Sequence, residues 1–165
     1  MNYKYETKLI VIAIILTVIS APWSESKAQK TALEFKEIGI KQYKEKQYTK
    51  AIEAFTKTIE LDSSKSKTDV YIYRGIAHDA MNNFGLAIED FNKAQSIDSN
   101  DVFLYVERAK TYYNMRNHEA ACNDFLKVTA LNPNSKDAEE AWRFLGKIKQ
   151  GEKDYKNAVN YYTRV

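Results

Sequence analysis

The sequence repeats one pattern of small and aromatic residues four times, and this repetition limits the chain to a few architectures. An alanine followed four residues later by an aromatic residue recurs as Ala51/Phe55, Ala87/Phe91, Ala121/Phe125 and Ala158/Tyr162. Twelve residues before each alanine stands a small residue: Gly39, Gly75, Ala109 and Gly146. Four residues before each small residue stands an aromatic: Phe35, Tyr71, Tyr105 and Trp142. Three residues before each alanine stands an aromatic or a histidine: Tyr48, Phe84, His118 and Tyr155. The spacing within a copy never changes, so each copy is one structural unit.

Each copy predicts two helices joined by a short polar turn. The apolar residues follow a helical period over two segments of about 13 residues. Residues 44–47 and 81–83 have the polar composition of turns, and the copies differ in length only at residues 63–69 and 134–139. Asp69, Asp101 and Ser135 are predicted helix N-caps, because their side-chain oxygens can accept hydrogen bonds from free backbone N–H groups. We therefore predict an all-α fold of antiparallel helix pairs that bury their apolar faces against one another.

The pattern resembles the tetratricopeptide repeat (TPR), a helix pair with a period of 34 residues. The resemblance extends from Ala32 to Val165, with repeats near residues 32–65, 68–101, 102–135 and 139–165, the last incomplete. It implies an α-solenoid, a right-handed superhelix of about four TPR units. The sequence departs from the family pattern where the opening leucine is Arg74 or Arg108 and where only one closing proline, Pro133, is present.

The resemblance also implies that the first helix of each pair lines a concave binding groove. Positions on these helices that the repeat does not need for packing are predicted to face this groove: Lys36, Ile40, Tyr43, Lys44, Ile72, Tyr73, Ile76, Phe103, Val106, Glu107, Lys110, Tyr113, Arg143, Phe144 and Lys147. Aromatic residues with a few cations suit a peptide with apolar anchors and some acidic residues. The alternative is that some of these residues pack between neighbouring first helices.

Some tetratricopeptide domains grip a C-terminal carboxylate with a set of lysine, asparagine and arginine side chains. Lys36 matches the first lysine of that set. The other four positions hold Ile40, Tyr73, Phe103 and Glu107, so an acidic residue replaces a cation. The sequence therefore predicts that this chain does not bind its ligand through a carboxylate clamp.

The N-terminal residues predict export from the cytoplasm. Lys4 and Lys8 precede an uncharged apolar stretch over residues 9–19, and Ser26 and Ala28 offer small residues at a cleavage site. This order is typical of a signal peptide over residues 1–28, with a periplasmic or extracellular destination if the source is bacterial. The alternative is a retained membrane anchor at residues 9–21, although a span needs about 20 apolar residues.

The residues that could support chemistry are few and dispersed. The two histidines, His78 and His118, are predicted packing residues, and Cys122 is predicted to behave as a small apolar residue. No cofactor, metal or catalytic group is predicted. Twenty-five basic against 22 acidic residues give a net charge of only +3, with no basic block to attract nucleic acid.

Two functions fit this sequence. The first is a non-catalytic, exported scaffold that binds a protein or peptide in its groove. The alternative is a structural subunit of an envelope or secretion assembly that associates through its terminal repeats. At the C-terminal repeat either self-association or fraying is expected, because no further helix follows to cover it, and membrane contact is expected only if the N-terminal segment is retained.

Overall fold

The chain folds into four consecutive helix pairs. The computed structural model describes residues 31–62 and 67–165, and the predicted signal peptide lies outside these ranges. Helix α1 covers residues 31–44 of the described chain. The remaining helices are α2 (Tyr48–Leu61), α3 (Thr68–Ala80), α4 (Phe84–Ile97), α5 (Val102–Asn114), α6 (His118–Leu131), α7 (Lys136–Gly151) and α8 (Tyr155–Tyr162). No strand occurs in the described ranges, which confirms the all-α prediction.

The helices stack in chain order. From α2 to α8, helices that are consecutive in the chain pack against each other, most extensively within a pair, and α5 also contacts α3 and α7. The first helices of the pairs therefore lie side by side and form one continuous layer. We call the surface of this layer the groove face.

Two of the three predicted N-caps are confirmed. The carboxylate of Asp101 accepts a hydrogen bond from the Leu104 N–H at 3.1 Å, and the Ser135 hydroxyl accepts one from the Ala138 N–H at 3.1 Å. The prediction for Asp69 is wrong, because α3 begins at Thr68 and places Asp69 in its first turn. There its carboxylate pairs with the Lys36 ammonium of α1.

The turns within the four pairs share one backbone conformation. Lys46, Asn82, Arg116 and Lys153 have φ between 58° and 63°, in the left-handed region, and each lies five residues before its repeat alanine. The N–H of the residue that follows each of them bonds back to a carbonyl of the first helix, as when the Gln47 N–H donates to the Gln42 oxygen at 2.8 Å. This is the Schellman arrangement, which satisfies the free carbonyls at a helix end.

The repeat residues contribute to the core, in which the small residue of the first helix lies beside the aromatic ring of the second helix. Phe55, Phe91 and Phe125 are fully buried. A Cβ added at Gly39 would lie only 2.5 Å from the Phe55 ring. The absence of a side chain at Gly39 therefore leaves the space that the aromatic ring of the second helix occupies. In the second pair an added Cβ at Gly75 would meet both the Phe91 ring, at 3.0 Å, and the Ala87 carbonyl oxygen, at 3.2 Å.

The two arginines that replace the opening leucine form ion pairs within their own helix pair. Arg74 binds Asp90 through two hydrogen bonds of 2.8 and 2.6 Å, and Arg108 binds Asp124 through two of 2.7 and 2.9 Å. Each arginine also reaches the preceding helix pair, where the Arg74 Nη1 donates to the Thr56 hydroxyl at 3.0 Å. These side chains therefore hold a pair closed and tie it to its neighbour.

Candidate binding groove

Polar contacts between neighbouring first helices define the groove face. The Lys36 ammonium of α1 pairs with Asp69 of α3. The Lys110 ammonium of α5 lies 3.2 Å from Glu140 of α7 and, on its own helix, 3.2 Å from Glu107. These pairs join helices of successive repeats, so their side chains share one surface.

An aromatic row runs across the N-terminal half of the groove face. The Tyr73 ring stacks on the buried Phe55 ring with centroids 6.0 Å apart, and it meets the Phe103 ring at 6.1 Å. Phe103 is 43% exposed, whereas Tyr73 is half-buried. Phe103 is therefore the aromatic residue of this row that is most available to a ligand.

A second aromatic cluster occupies the C-terminal half of the groove face. The Phe144 ring stacks on the buried Phe125 ring at 4.9 Å and meets the Tyr113 ring edge-on at 5.2 Å. Tyr113 in turn stacks on His118 at 5.8 Å, in agreement with the predicted packing role of that histidine. Phe144 therefore supports the core as well as the groove face, so its replacement would also disturb the fold.

Four of the cations predicted for the groove divide into two groups on the groove face. Lys36 and Lys110 are paired with carboxylates of the chain itself. Arg143 and Lys147 are exposed, and the Lys147 ammonium lies 5.1 Å from the centre of the Phe144 ring. Of these four cations, the two that are not paired with carboxylates both lie on α7.

Buried polar groups give the centre of the groove face an acidic bias. Burial raises the pKa of the Glu107 carboxyl, and Lys110 beside it opposes that shift. Burial also raises the pKa of the Tyr43 hydroxyl, and the negative charges of Glu107 and Asp79 act in the same direction. The Asp79 carboxylate also accepts a hydrogen bond of 3.4 Å from the Asn114 side-chain amide. An incoming carboxylate would be repelled at this point.

Two predicted groove residues are core residues instead. Ile72 is fully buried and Val106 is 4% exposed, because the neighbouring helices of the central pairs cover this position. At the repeat position of Ile72 and Val106, the first helix pair holds Lys36 and the fourth holds Arg143. Of the other predicted residues, Ile40, Tyr43 and Ile76 are half-buried and Lys44 is exposed.

Sequence reasoning missed the acidic partners Asp69, Asp79 and Glu140. The sequence predicts Asp69 as a cap and assigns neither Asp79 nor Glu140 to the groove. The available signal was the repeat position, since Asp69, Phe103 and Glu140 occupy the same place in successive copies.

The residues with potential chemistry are not assembled into a site. Within residues 31–62 and 67–165, no three His, Cys, Asp or Glu side chains converge as metal ligands. Cys122 packs against the core, and burial raises the pKa of its thiol. Burial lowers the pKa of the half-buried His78. None of the helices in the described ranges has the length and apolar character needed to cross a bilayer.

Comparison with known proteins places this helix-pair array among α-helical repeat proteins that act as interaction modules. The profile of the tetratricopeptide repeat family matches residues 68–101 and 104–135, which are the second and third helix pairs. The second and third helix pairs are thus tetratricopeptide repeats, and this fold is typical of non-catalytic modules for protein–protein interaction.

The chain spans only about a fifth of the length of the curated relatives that it matches. Human DnaJ homolog subfamily C member 7 is 33% identical over 95 residues, which are 56% of this chain and 19% of that protein. The first TPR domain of Spaghetti (RPAP3), solved with the HSP90 peptide SRMEEVD, is 27% identical with a TM-score of 0.67 and covers 75% of this chain and 94% of its own. MamA has a TM-score of 0.74 at 20% identity, covers 84% of this chain and 78% of its own, and shares the fold.

Proposed function

We propose that this chain is a non-catalytic scaffold that binds a segment of a partner protein on its groove face. Phe103 carries the proposal, because it is a large apolar side chain, 43% exposed, in a row of aromatic rings that the core holds in place. Aromatic anchors lose little conformational entropy on contact and commonly dominate interface energies. The RPAP3 domain, which is similar in sequence and fold, was solved with a bound peptide and supports this reading.

The ligand that fits this groove face has apolar anchors and does not depend on a C-terminal carboxylate. Lys36, which matches the first clamp lysine, is occupied by Asp69. Glu107 stands where the clamp would have a cation, so this position supplies no positive charge to a carboxylate. Acidic residues of the ligand would be accommodated near Arg143 and Lys147 on α7, at one end of the groove face.

We further propose that the scaffold acts after export, with residues 1–28 serving as a signal peptide. The support is the order of a basic segment, an apolar segment and small residues at the cleavage position. N-terminal sequencing of the chain recovered from its source tests this proposal, since a start at Gln29 is expected. A retained Met1 would favour the anchor.

Partner capture from an envelope extract tests the groove face. Phe103→Ala should reduce the captured partner about thirtyfold, because truncating a true anchor costs about 2 kcal/mol. Leu86→Ala is the matched control, since Leu86 is 48% exposed on the second helix of its pair, away from the groove face. Unchanged capture by Phe103→Ala, or an equal loss in both variants, would contradict the proposal.

A peptide measurement tests the ligand chemistry separately. The chain should show no saturable binding of SRMEEVD by fluorescence anisotropy, because the clamp residues are absent. Tight binding of SRMEEVD that is lost when its C-terminal carboxylate is amidated would show that the groove accepts a carboxylate after all.

A further inference from the structure

The N-terminal end of the array has an open groove between α1 and α2. The groove has a volume of about 640 Å³, and Phe35, Ile38 and Ala54 are among the residues that line it. Ile38 is 47% exposed although it occupies a packing position of the repeat. Among the residues that the structure describes, no helix covers this groove, whereas a second helix lies at the equivalent place in the later pairs.

The later pairs show what fills this place. Arg74 and Arg108 occupy the repeat position of Ile38, and each contacts the second helix of the preceding pair. The Arg74 Nη1 donates to the Thr56 hydroxyl at 3.0 Å, and the Arg108 Nη1 donates to the Asn92 side-chain oxygen at 2.7 Å. The natural occupant of the groove is thus the second helix of another pair.

The C-terminal end of the array exposes the matching surface. Val159 is 61% exposed, whereas Ile88 and Cys122, at the same repeat position, are half-buried against the core. Thr163 follows α8 at the repeat position of Thr56 and Asn92, and it is exposed as well. In a continued array, Thr163 would contact the residue at the position of Ile38.

The charges at the two ends are complementary when they are placed in this register. Thr49 contacts Met81 of the next pair, with 3.8 Å between Oγ1 and Sδ. At the equivalent positions the C-terminal end holds Lys156 and the N-terminal end holds Glu45, both exposed. An attraction between opposite charges would therefore take the place of the Thr49–Met81 contact.

The first helices add a second complementary region. Within the array, Lys110 of the third pair contacts Glu140 of the fourth pair. At the ends of the array, Lys147 holds the repeat position of Lys110, and Leu33 holds that of Glu140. Leu33 is 55% exposed and lies beside the exposed Glu34 and Glu37. Lys147 and its neighbour Arg143 would thus approach two carboxylates around an apolar residue.

We propose that the C-terminal helix pair of a second copy of this chain docks on the N-terminal groove and continues the array from head to tail. The two contact surfaces differ, so the association is heterologous and can extend beyond a dimer. It uses residues at the ends of the array, among them Arg143 and Lys147, and leaves the aromatic row with Tyr73 and Phe103 free, so it goes beyond the proposed binding function.

Cysteine cross-linking of the full chain in cells tests this contact. Ile38→Cys and Thr163→Cys are introduced together in a Cys122→Ser background, and the cells are treated with a short thiol-to-thiol cross-linker. A ladder of dimers and higher species is expected. A chain with one of the two cysteines should stay monomeric, and coexpression of the two single-cysteine chains should give dimers only.

Charge reversal distinguishes specific docking from nonspecific association. Glu45→Lys in the double-cysteine chain should abolish most of the ladder, and Lys156→Glu in the same chain should restore it. Phe103→Ala, on the groove face, should leave the ladder unchanged, so the result is independent of partner binding. The proposal is overturned if the double-cysteine chain stays monomeric. It is equally overturned if single-cysteine chains dimerise, or if the second reversal does not restore the ladder.

Discussion

The Arg108 guanidinium and the Asp124 carboxylate form a two-point ion pair in the interior of the third helix pair. Their side chains are only 8% and 10% exposed, and the shorter bond, from Nε to Oδ2, measures 2.7 Å. The fourth pair holds Leu145 and Tyr161 at the same positions. The architecture therefore accepts either a buried ion pair or an apolar contact at this point.

Breaking the Arg108–Asp124 pair should strongly destabilise the chain. Asp124→Ala leaves a guanidinium buried without its carboxylate, and removal of one partner of a buried pair costs about 3–5 kcal/mol. Urea unfolding followed by circular dichroism measures this loss.

The apolar pair of the fourth repeat provides the control. Arg108→Leu combined with Asp124→Tyr should recover most of the stability, because exchange of a buried ion pair for apolar residues is often neutral. A double variant as unstable as Asp124→Ala would show that the ion pair itself is required.

A methyl group added at Gly39 should be more harmful than one added at Gly85. The new Cβ at Gly39 would lie 2.5 Å from the fully buried Phe55 ring, and overpacking of this kind costs about 1–3 kcal/mol. No atom lies within 4 Å of the new Cβ at Gly85, so Gly85→Ala should be neutral or stabilise helix α4 by up to about 1 kcal/mol. Thermal melting compares the two variants, and equal melting temperatures would contradict the packing described here.

The stability of the chain should fall as His78 becomes protonated. Burial lowers the pKa of His78 in the folded state, and Asp90 only partly opposes this shift. The unfolded state therefore binds the proton first, so stability is full above the ordinary pKa of about 6.5 and decreases as the pH falls through it towards the lowered value.

Glutamine is a suitable replacement for His78, because Gln42 occupies the equivalent position in the first helix pair. His78→Gln should lose less stability than the unaltered chain between pH 7.5 and 5.5, as measured by urea midpoints. Parallel losses in the two chains would exclude His78 as the cause.

The sequence predicts the helix pairs well because the fixed spacing of small and aromatic residues reflects local packing within one pair. Contacts between pairs are harder to predict, since they depend on the angle at which one pair meets the next. Lys110 of α5 contacts Glu140 of α7, the first helix of the next pair. Nothing in the local sequence distinguishes this lysine from the exposed Lys147.

A comparison of the copies could have revealed the ion pairs. An aspartate lies 16 residues after the arginine in both copies that carry one, and in neither of the others. Within a single copy, each arginine is only a departure from the family leucine, and nothing there indicates its aspartate partner.

The stacking of the helices in chain order determines how the molecule should come apart. Because each helix contacts only nearby helices, the loss of α8 removes contacts with α7 and leaves the central pairs intact. Unfolding can therefore begin at a terminus and proceed inward as a series of steps, each removing one cooperative unit. The second and third pairs, which the arginines lock to their neighbours, are the last to open, and their amide protons should exchange most slowly with solvent.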